Sequence, residues 1–310
     1  MEDDSDHSGT ETSSLEVSGH EKDEEEYLGV NWNHHRICKS LESGEGWAII
    51  PMAKEKTIQT IQTLLSKPNM RSMIPFENIF AVEQKGTRIP SMDAYRKQWV
   101  VIARNCHKEL APLIKAIRII NDEVRKSFEV ILKIPSCELI SDNSTILWSD
   151  EHAKKQAIHI DFPNHSWDDG LKKAIFIVEV PIIGSASLFL YPTATSFFRR
   201  LHRYEPFVIL EANCIETEVK IPSGNMLVFR SEVAHGGAVP TSSNFRLHFV
   251  FRMKDVEKPT DNRTYLFLRQ DMKRIHKKDE ELFLRNVRQK CQENTALANE
   301  CLQILKEMEQ

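Results

Sequence analysis

Hydrophobic and polar positions recur along this chain with two different periods, and the change falls near Cys137. Before that point apolar residues return every three or four positions. Gly44-Glu45-Gly46 introduces a short apolar stretch at 47–51 that reads as a strand. From about 53 to 65, Ile58, Ile61 and Leu64 or Leu65 fall on one helical face. A mainly helical stretch is predicted over 94–132, with Leu113, Ile114, Ile117, Ile120 and Val124 on its buried side. Pro135 closes it, because proline cannot continue a helix and pushes the residue before it towards extended geometry.

Beyond Cys137, short segments rich in Val, Ile and Phe alternate with Gly, Pro, Asn and Ser. They span 138–140, 145–148, 157–161, 174–181, 186–191, 216–221, 225–230 and 245–253. Eight short strands in succession predict an α+β chain with a double-stranded β-helix (jelly-roll) core, whose alternate residues point into a narrow barrel. Helices support it on the N-terminal side. After Asn262 the pattern turns helical through Gln310, with Val287, Cys291, Ala298, Cys301, Leu305 and Met308 on one stripe. That C-terminal helical extension either packs on the barrel or joins two copies as a homodimer.

Charge divides the chain further. Residues 1–26 carry eleven acids against the single base Lys22, so they hold −10 of a total of −4 and the remaining 284 residues hold +6. With almost no apolar residues, this segment cannot bury enough surface to offset its ordering entropy, and it reads as a disordered acidic tail. It serves either as a solubilising leader or as a partner-binding segment. Three regions follow: the tail (1–26), the jelly-roll domain with its helical support (27–262) and the extension (263–310).

No secretory signal is read at the start, and no stretch reaches the length of a membrane span. The six cysteines include no CxxC pair, so packed, reduced thiols are expected. These features point to an intracellular protein, cytoplasmic or nuclear, without a membrane partner. The body shows no basic stripe interleaved with aromatics, so no nucleic-acid partner is expected.

The candidate chemistry sits in the strand-rich half. In Gln156-Ala-Ile-His-Ile-Asp-Phe-Pro163, His159 and Asp161 lie two apart and on a strand would point the same way. One imidazole and one carboxylate on one face make two-thirds of a 2-His-1-carboxylate facial triad, which suits Fe(II) and leaves coordination positions open. A surface His and Asp beside a turn would look the same. The stretch Ile221-Pro-Ser-Gly-Asn-Met-Leu-Val-Phe-Arg230 then reads as a turn and a strand. Ser-Glu-Val-Ala-His-Gly-Gly237 follows, with His235 just past the strand end and two glycines that allow close approach. In the next strand Phe245, Leu247, Phe249 and Phe251 form one apolar face, and Arg246, His248, Val250 and Arg252 form the other. If the aromatic face packs on helices, Arg246 points inward, where a guanidinium needs an anion. A dicarboxylate would supply one through a bidentate fork.

With these residues in place, the chain resembles the 2-oxoglutarate/Fe(II) oxygenase superfamily, and within it the phytanoyl-CoA dioxygenase-like branch. The matching pieces are GEGWAIIPMAKEKTIQTIQTLL, QAIHID, and IPSGNMLVFRSEVAHGG with an arginine eleven residues past its histidine; they cover most of 44–253. The resemblance implies His159, Asp161 and His235 as iron ligands, Arg246 as partner of the distal carboxylate of 2-oxoglutarate, and O2 as the oxidant. Presence of Asp161 implies hydroxylation, since related halogenases lack that carboxylate. Two departures stand out. The family's Pro-Gly-Ser-His turn is replaced by LYPTATSF, and position 237 is glycine rather than serine. The substrate, a small molecule or a peptide, is not legible.

Gln156 is a further candidate, either bracing the metal site or touching 2-oxoglutarate, and His248 shares the inward face of Arg246. Tyr191 and Trp167 are candidates for cavity walls. Two other readings stay open: a cupin-type metal dioxygenase without 2-oxoglutarate, and a non-catalytic jelly-roll binding module.

Overall fold

The computed structural model describes residues 34–43, 45–52, 55–79, 83–84, 87–88, 95–101, 108–153, 155–156, 158–161, 167–191, 207–210, 216–257 and 264–268. All belong to one compact unit, His34–Gln310. The acidic tail and the stripe from Val287 to Met308 lie outside the described residues, and with them the expectation of a dimer through the C-terminal helix.

Helix α1 (His34–Ser43) leads into strand β1 (Trp47–Pro51), and helices α2 (Glu55–Leu65) and α3 (Pro68–Met73) follow. Then come the short strands β2 (Glu77–Asn78), β3 (Glu83–Gln84) and β4 (Thr87–Arg88), strand β5 (Arg96–Val100) and the long helix α4 (Ala111–Leu132). The strand-rich half runs β6 (Leu139–Ser149), β7 (Ile158–Ile160), β8 (Ile175–Ile183), β9 (Ala186–Leu190), β10 (Phe207–Leu210), β11 (Thr217–Ile221), β12 (Asn225–Arg230), β13 (His235–Gly237), β14 (Asn244–Met253) and β15 (Thr264–Leu268). A seven-stranded sheet has the order β1-β12-β8-β14-β6-β5-β2, a six-stranded sheet the order β10-β15-β7-β13-β9-β11, and β3 pairs with β4. From β6 to β9 and again from β11 to β15, consecutive strands alternate between the two large sheets, the pattern of a double-stranded β-helix. The expected segments at 138–140 and 145–148 are one continuous strand, β6.

Two helical expectations are corrected. Within 94–132, only the later part is helix: Arg96–Val100 is a strand, paired with β6 and β2. Arg96 and Trp99 are buried and the residues around them half-buried, and pairing with two neighbouring strands overrides a weak local preference. Past Asn262, Thr264–Leu268 is likewise a strand, paired with β7 and β10.

Helix α4 shows why one face of the seven-stranded sheet is apolar. Leu113, Ile117, Ile120, Val124, Phe128 and Ile131 recur at helical spacing and are buried. Phe128 meets Phe176 edge-on at 5.2 Å and Phe251 at 5.6 Å between ring centroids. The aromatic face of β14 thus packs on a helix, as the alternation predicts. Asn121 anchors the same helix, donating from Nδ2 to Ser141 Oγ at 2.7 Å. The chain leaves α4 through Lys133, whose φ of 56° is a left-handed cap that ends the helix before Pro135.

The opposite face of that sheet points into the barrel. Ile177, Leu227, Phe229 and Val250 meet Leu188, Leu190, Val219 and Ile221 from the six-stranded sheet in one apolar cluster. Along β14 the inward residues change from Arg246 and His248 to Val250, so one half of the interior is polar and the other apolar.

Candidate metal centre

Two neighbouring strands build the centre. On β7, His159 shares a face with Asp161 just beyond the strand end; on β13, His235 stands directly opposite His159 in the antiparallel register. The three offer ligand atoms that all lie within 4.8 Å of one another, and all three residues are buried. Asp161 lies between the rings: its Oδ1 is 3.7 Å from His159 Nε2 and its Oδ2 3.5 Å from His235 Nε2. Two imidazole nitrogens and one carboxylate converging from one side fit a six-coordinate Fe(II) with positions left for exogenous ligands.

Hydrogen bonding prepares one of these ligands. His235 Nδ1 is 2.9 Å from the carbonyl oxygen of Val233. A carbonyl only accepts, so Nδ1 carries the proton and Nε2 turns its lone pair towards Asp161 and His159. The turn that supplies this carbonyl is itself tied down. Val233 N–H donates to Arg230 O at 2.9 Å, and Arg230 Nη2 pairs with Glu232 Oε1 at 3.4 Å. Burial pushes the Glu232 carboxyl up, and the arginine beside it only partly offsets this. For His235, burial pushes the imidazole down, but Asp161, the Val233 carbonyl and Glu179 together hold it above the usual histidine range. The pocket is thus arranged for a cation among these three side chains.

Arg246 points inward, on the face opposite the helix-packed aromatics, and is buried. Its anionic partner, however, comes from the chain itself. Arg246 Nε donates to Glu179 Oε2 at 2.9 Å, and His248 Nδ1 lies 2.8 Å from Glu179 Oε1. The premise that a buried arginine here must await a dicarboxylate is therefore corrected: Glu179 already balances it. Burial would raise the Glu179 carboxyl, but Arg246 and then His248 outweigh it and hold it below the usual range, so Glu179 is ionised. Sequence reading missed this residue. Its signal was a lone acid in the otherwise apolar strand Ile-Phe-Ile-Val-Glu-Val-Pro-Ile-Ile.

Gln156 is tied to the strand that carries His235. Its Oε1 accepts from Gly237 N–H at 2.8 Å, and its own N–H donates to Gly237 O at 2.9 Å. A second arginine joins it. Arg96, buried on β5, reaches Ser149 Oγ at 3.1 Å and Ala238 O at 2.6 Å. A Cβ at Gly237 would stand 2.5 Å from Gln156 Oε1 and 2.7 Å from Arg96 Nη1, so position 237 holds glycine because two polar side chains occupy the space. Tyr191 is buried, with its hydroxyl 3.1 Å from Glu216 Oε2 and the Lys155 ammonium 5.7 Å from its ring centroid. The side chain of Trp167 lies outside the described residues.

No family model matches the chain, and no curated protein matches it. Solved structures do. AviO1 from Streptomyces viridochromogenes superposes with a TM-score of 0.50 at 10% identity, over 74% of this chain and 100% of that one. SnoK, a non-heme α-ketoglutarate-dependent carbocyclase from nogalamycin biosynthesis, gives 0.48 at 13% identity, over 79% and 92%. An oxidoreductase of the 2OG-Fe(II) oxygenase family from Burkholderia pseudomallei gives 0.46 at 10%, over 75% and 95%. At 10% identity the likeness to AviO1 is one of fold.

Proposed function

We propose that this chain, which carries the fold of the 2-oxoglutarate/Fe(II) oxygenases, is itself a 2-oxoglutarate-dependent dioxygenase that hydroxylates its substrate. The observation that carries the reading is the convergence of His159, Asp161 and His235 within 4.8 Å on two neighbouring strands of the barrel. Bound there, Fe(II) with 2-oxoglutarate would supply the oxidative decarboxylation to succinate and CO2 that activates O2 for attack on a C–H bond.

The chain's own residues do the holding. His159 and His235 present imidazole nitrogens and Asp161 a carboxylate, all from one side, which leaves the opposite side for co-substrate and O2. The Val233 carbonyl keeps the proton of His235 on Nδ1 and thereby keeps Nε2 available. Arg246 spends Nε on Glu179, and its two terminal nitrogens remain as an end-on fork suited to a carboxylate. Gln156 and Arg96 hold the strand of His235 in place. The apolar half of the barrel keeps water from one end of the site.

The order and spacing of the sequence motifs support a place near the phytanoyl-CoA dioxygenase-like branch, with a small molecule or a peptide as substrate. An intracellular setting is supported by the free thiols of Cys38 and Cys137. Among the described residues, no helix is long and apolar enough to cross a membrane.

The test is binding of Fe(II) under argon, then titration with 2-oxoglutarate followed by its metal-to-ligand absorption band, and finally succinate formation on admitting air. A saturable band and oxygen-dependent succinate are expected. Metal binding with no response to 2-oxoglutarate would favour the cupin-type reading instead.

A further inference from the structure

A guanidinium offers a carboxylate two edges: a side edge formed by Nε with one terminal nitrogen, and an end edge formed by the two terminal nitrogens. In Arg246 the side edge is occupied, because Glu179 Oε2 lies 2.9 Å from Nε. We propose that Glu179 is a positioning residue that sets co-substrate specificity: by holding the Nε edge of Arg246 it forces an incoming carboxylate onto the end edge, and so selects the carbon-chain length of the 2-oxo diacid accepted. The proposal rests on the co-substrate reading given above and adds to it a residue and a selectivity.

Three observations carry it. First, Glu179 is locked. It stands opposite His248 on β14 and opposite Leu227 on β12, so both neighbouring strands border it. Its second oxygen is held by His248 Nδ1 at 2.8 Å, which prevents the carboxylate from turning away from the arginine. Second, the anchoring is rigid because it is central. Strand β8 lies inside the seven-stranded sheet between β12 and β14, and Glu179, Arg246 and most of the surrounding wall are buried. A guanidinium fixed at Nε cannot slide along its axis to meet a shorter or longer ligand. A diacid whose head sits at the metal must therefore span one fixed distance to the end edge. Third, Glu179 is an ionised carboxylate that would face the distal carboxylate of a bound diacid across one arginine. It orients Arg246 and at the same time takes up part of its charge, so it improves geometry while weakening the raw attraction for an anion.

These two effects separate in two variants. Glu179→Gln keeps an oxygen to accept from Nε–H but removes the negative charge. Glu179→Ala removes both. The full-length protein is loaded with Fe(II) under argon and titrated with oxaloacetate, 2-oxoglutarate and 2-oxoadipate, which differ by one carbon each. The monoacid 2-oxovalerate, which has the same head but no distal carboxylate, is the control. Wild type is expected to favour the five-carbon diacid. Glu179→Ala should weaken 2-oxoglutarate by about tenfold or more and flatten the preference among the three diacids to within about threefold. Glu179→Gln should keep the preference and tighten the diacids by roughly three- to tenfold. The affinity for 2-oxovalerate should stay constant throughout.

Opposite movement of the two variants is what a packing role would not give. If both weaken every ligand in parallel, or both leave affinity and preference as in wild type, the proposal is overturned and the co-substrate reading stands. Should Glu179→Ala fail to fold, Glu179→Gln decides alone: tightening of the diacids without the monoacid supports the proposal, and unchanged or weaker binding overturns it. A wild type with no saturable response to any of the four acids removes the co-substrate reading, and this proposal with it.

Discussion

His159 and His235 are direct cross-strand partners, and their rings lie 4.4 Å apart between centroids with Asp161 reaching both. Because the strands are paired by backbone hydrogen bonds, the ligand set is assembled by the fold before any metal arrives.

It follows that His159→Ala, Asp161→Ala and His235→Ala should each remain folded and yet retain less than about a tenth of the iron bound by wild type. Elemental analysis after gel filtration, with circular dichroism as the folding control, measures this. Two variants that keep a full complement of iron would contradict the assignment.

Arg246 contributes charged hydrogen bonds of the kind worth roughly 1.5–3 kcal/mol, and its removal also strands the buried Glu179. Arg246→Ala should therefore weaken 2-oxoglutarate by about ten- to a thousandfold and lower the melting temperature as well. Arg246→Lys should restore much of the stability and little of the affinity, since a point charge cannot reproduce the fork. Anaerobic titration beside thermal melting separates the two effects. Equal affinity in wild type and Arg246→Ala would displace the co-substrate from this arginine.

Glu179 also gives acid stability a sign. Its folded-state carboxyl is held below the ordinary glutamate value, so its contribution is complete above that value and is lost as pH falls through the lowered one. Glu179→Gln should thus melt below wild type at neutral pH, and the gap should close as the pH drops below about 4.5. Melting curves from pH 7 downwards test this; a gap independent of pH would mean the carboxylate's charge does not stabilise the fold.

Gly237 permits a geometric test. A methyl group there meets Gln156 Oε1 and Arg96 Nη1 at distances real Cβ atoms do not show. Gly237→Ala should cost about 1–3 kcal/mol of stability by overpacking and weaken iron binding through the displaced strand of His235. Denaturant unfolding and an iron-binding isotherm read the two losses. A neutral result would show that Arg96 and Gln156 move aside freely.

Much of this centre was legible before the structure, for identifiable reasons. His159 and Asp161 fall two apart on a strand, and a period of two announces a shared face. The alternation of Phe245, Leu247, Phe249 and Phe251 announces which way Arg246 must point, and contact of Phe251 with Phe128 on α4 agrees. What stayed hidden was pairing across sequence. Glu179 lies 67 residues from Arg246, in a strand that reads as apolar, and nothing local names its partner. Arg96 was hidden differently. The segment Arg-Lys-Gln-Trp-Val has no strong strand signature, and only its place between β6 and β2 makes it one. With Arg96 misplaced on a helix, the glycine at 237 looked like a departure without a cause.

That glycine has a consequence for how this chain tolerates change. Positions 96, 156 and 237 meet in one volume from three distant stretches of the gene, so a change at one alters the space left to the other two. A side chain at 237 requires the ends of Arg96 and Gln156 to withdraw, so the freedom of those two ends sets what the position can hold. Substitutions at the three should therefore act on one another rather than add, although long stretches of chain separate them in sequence.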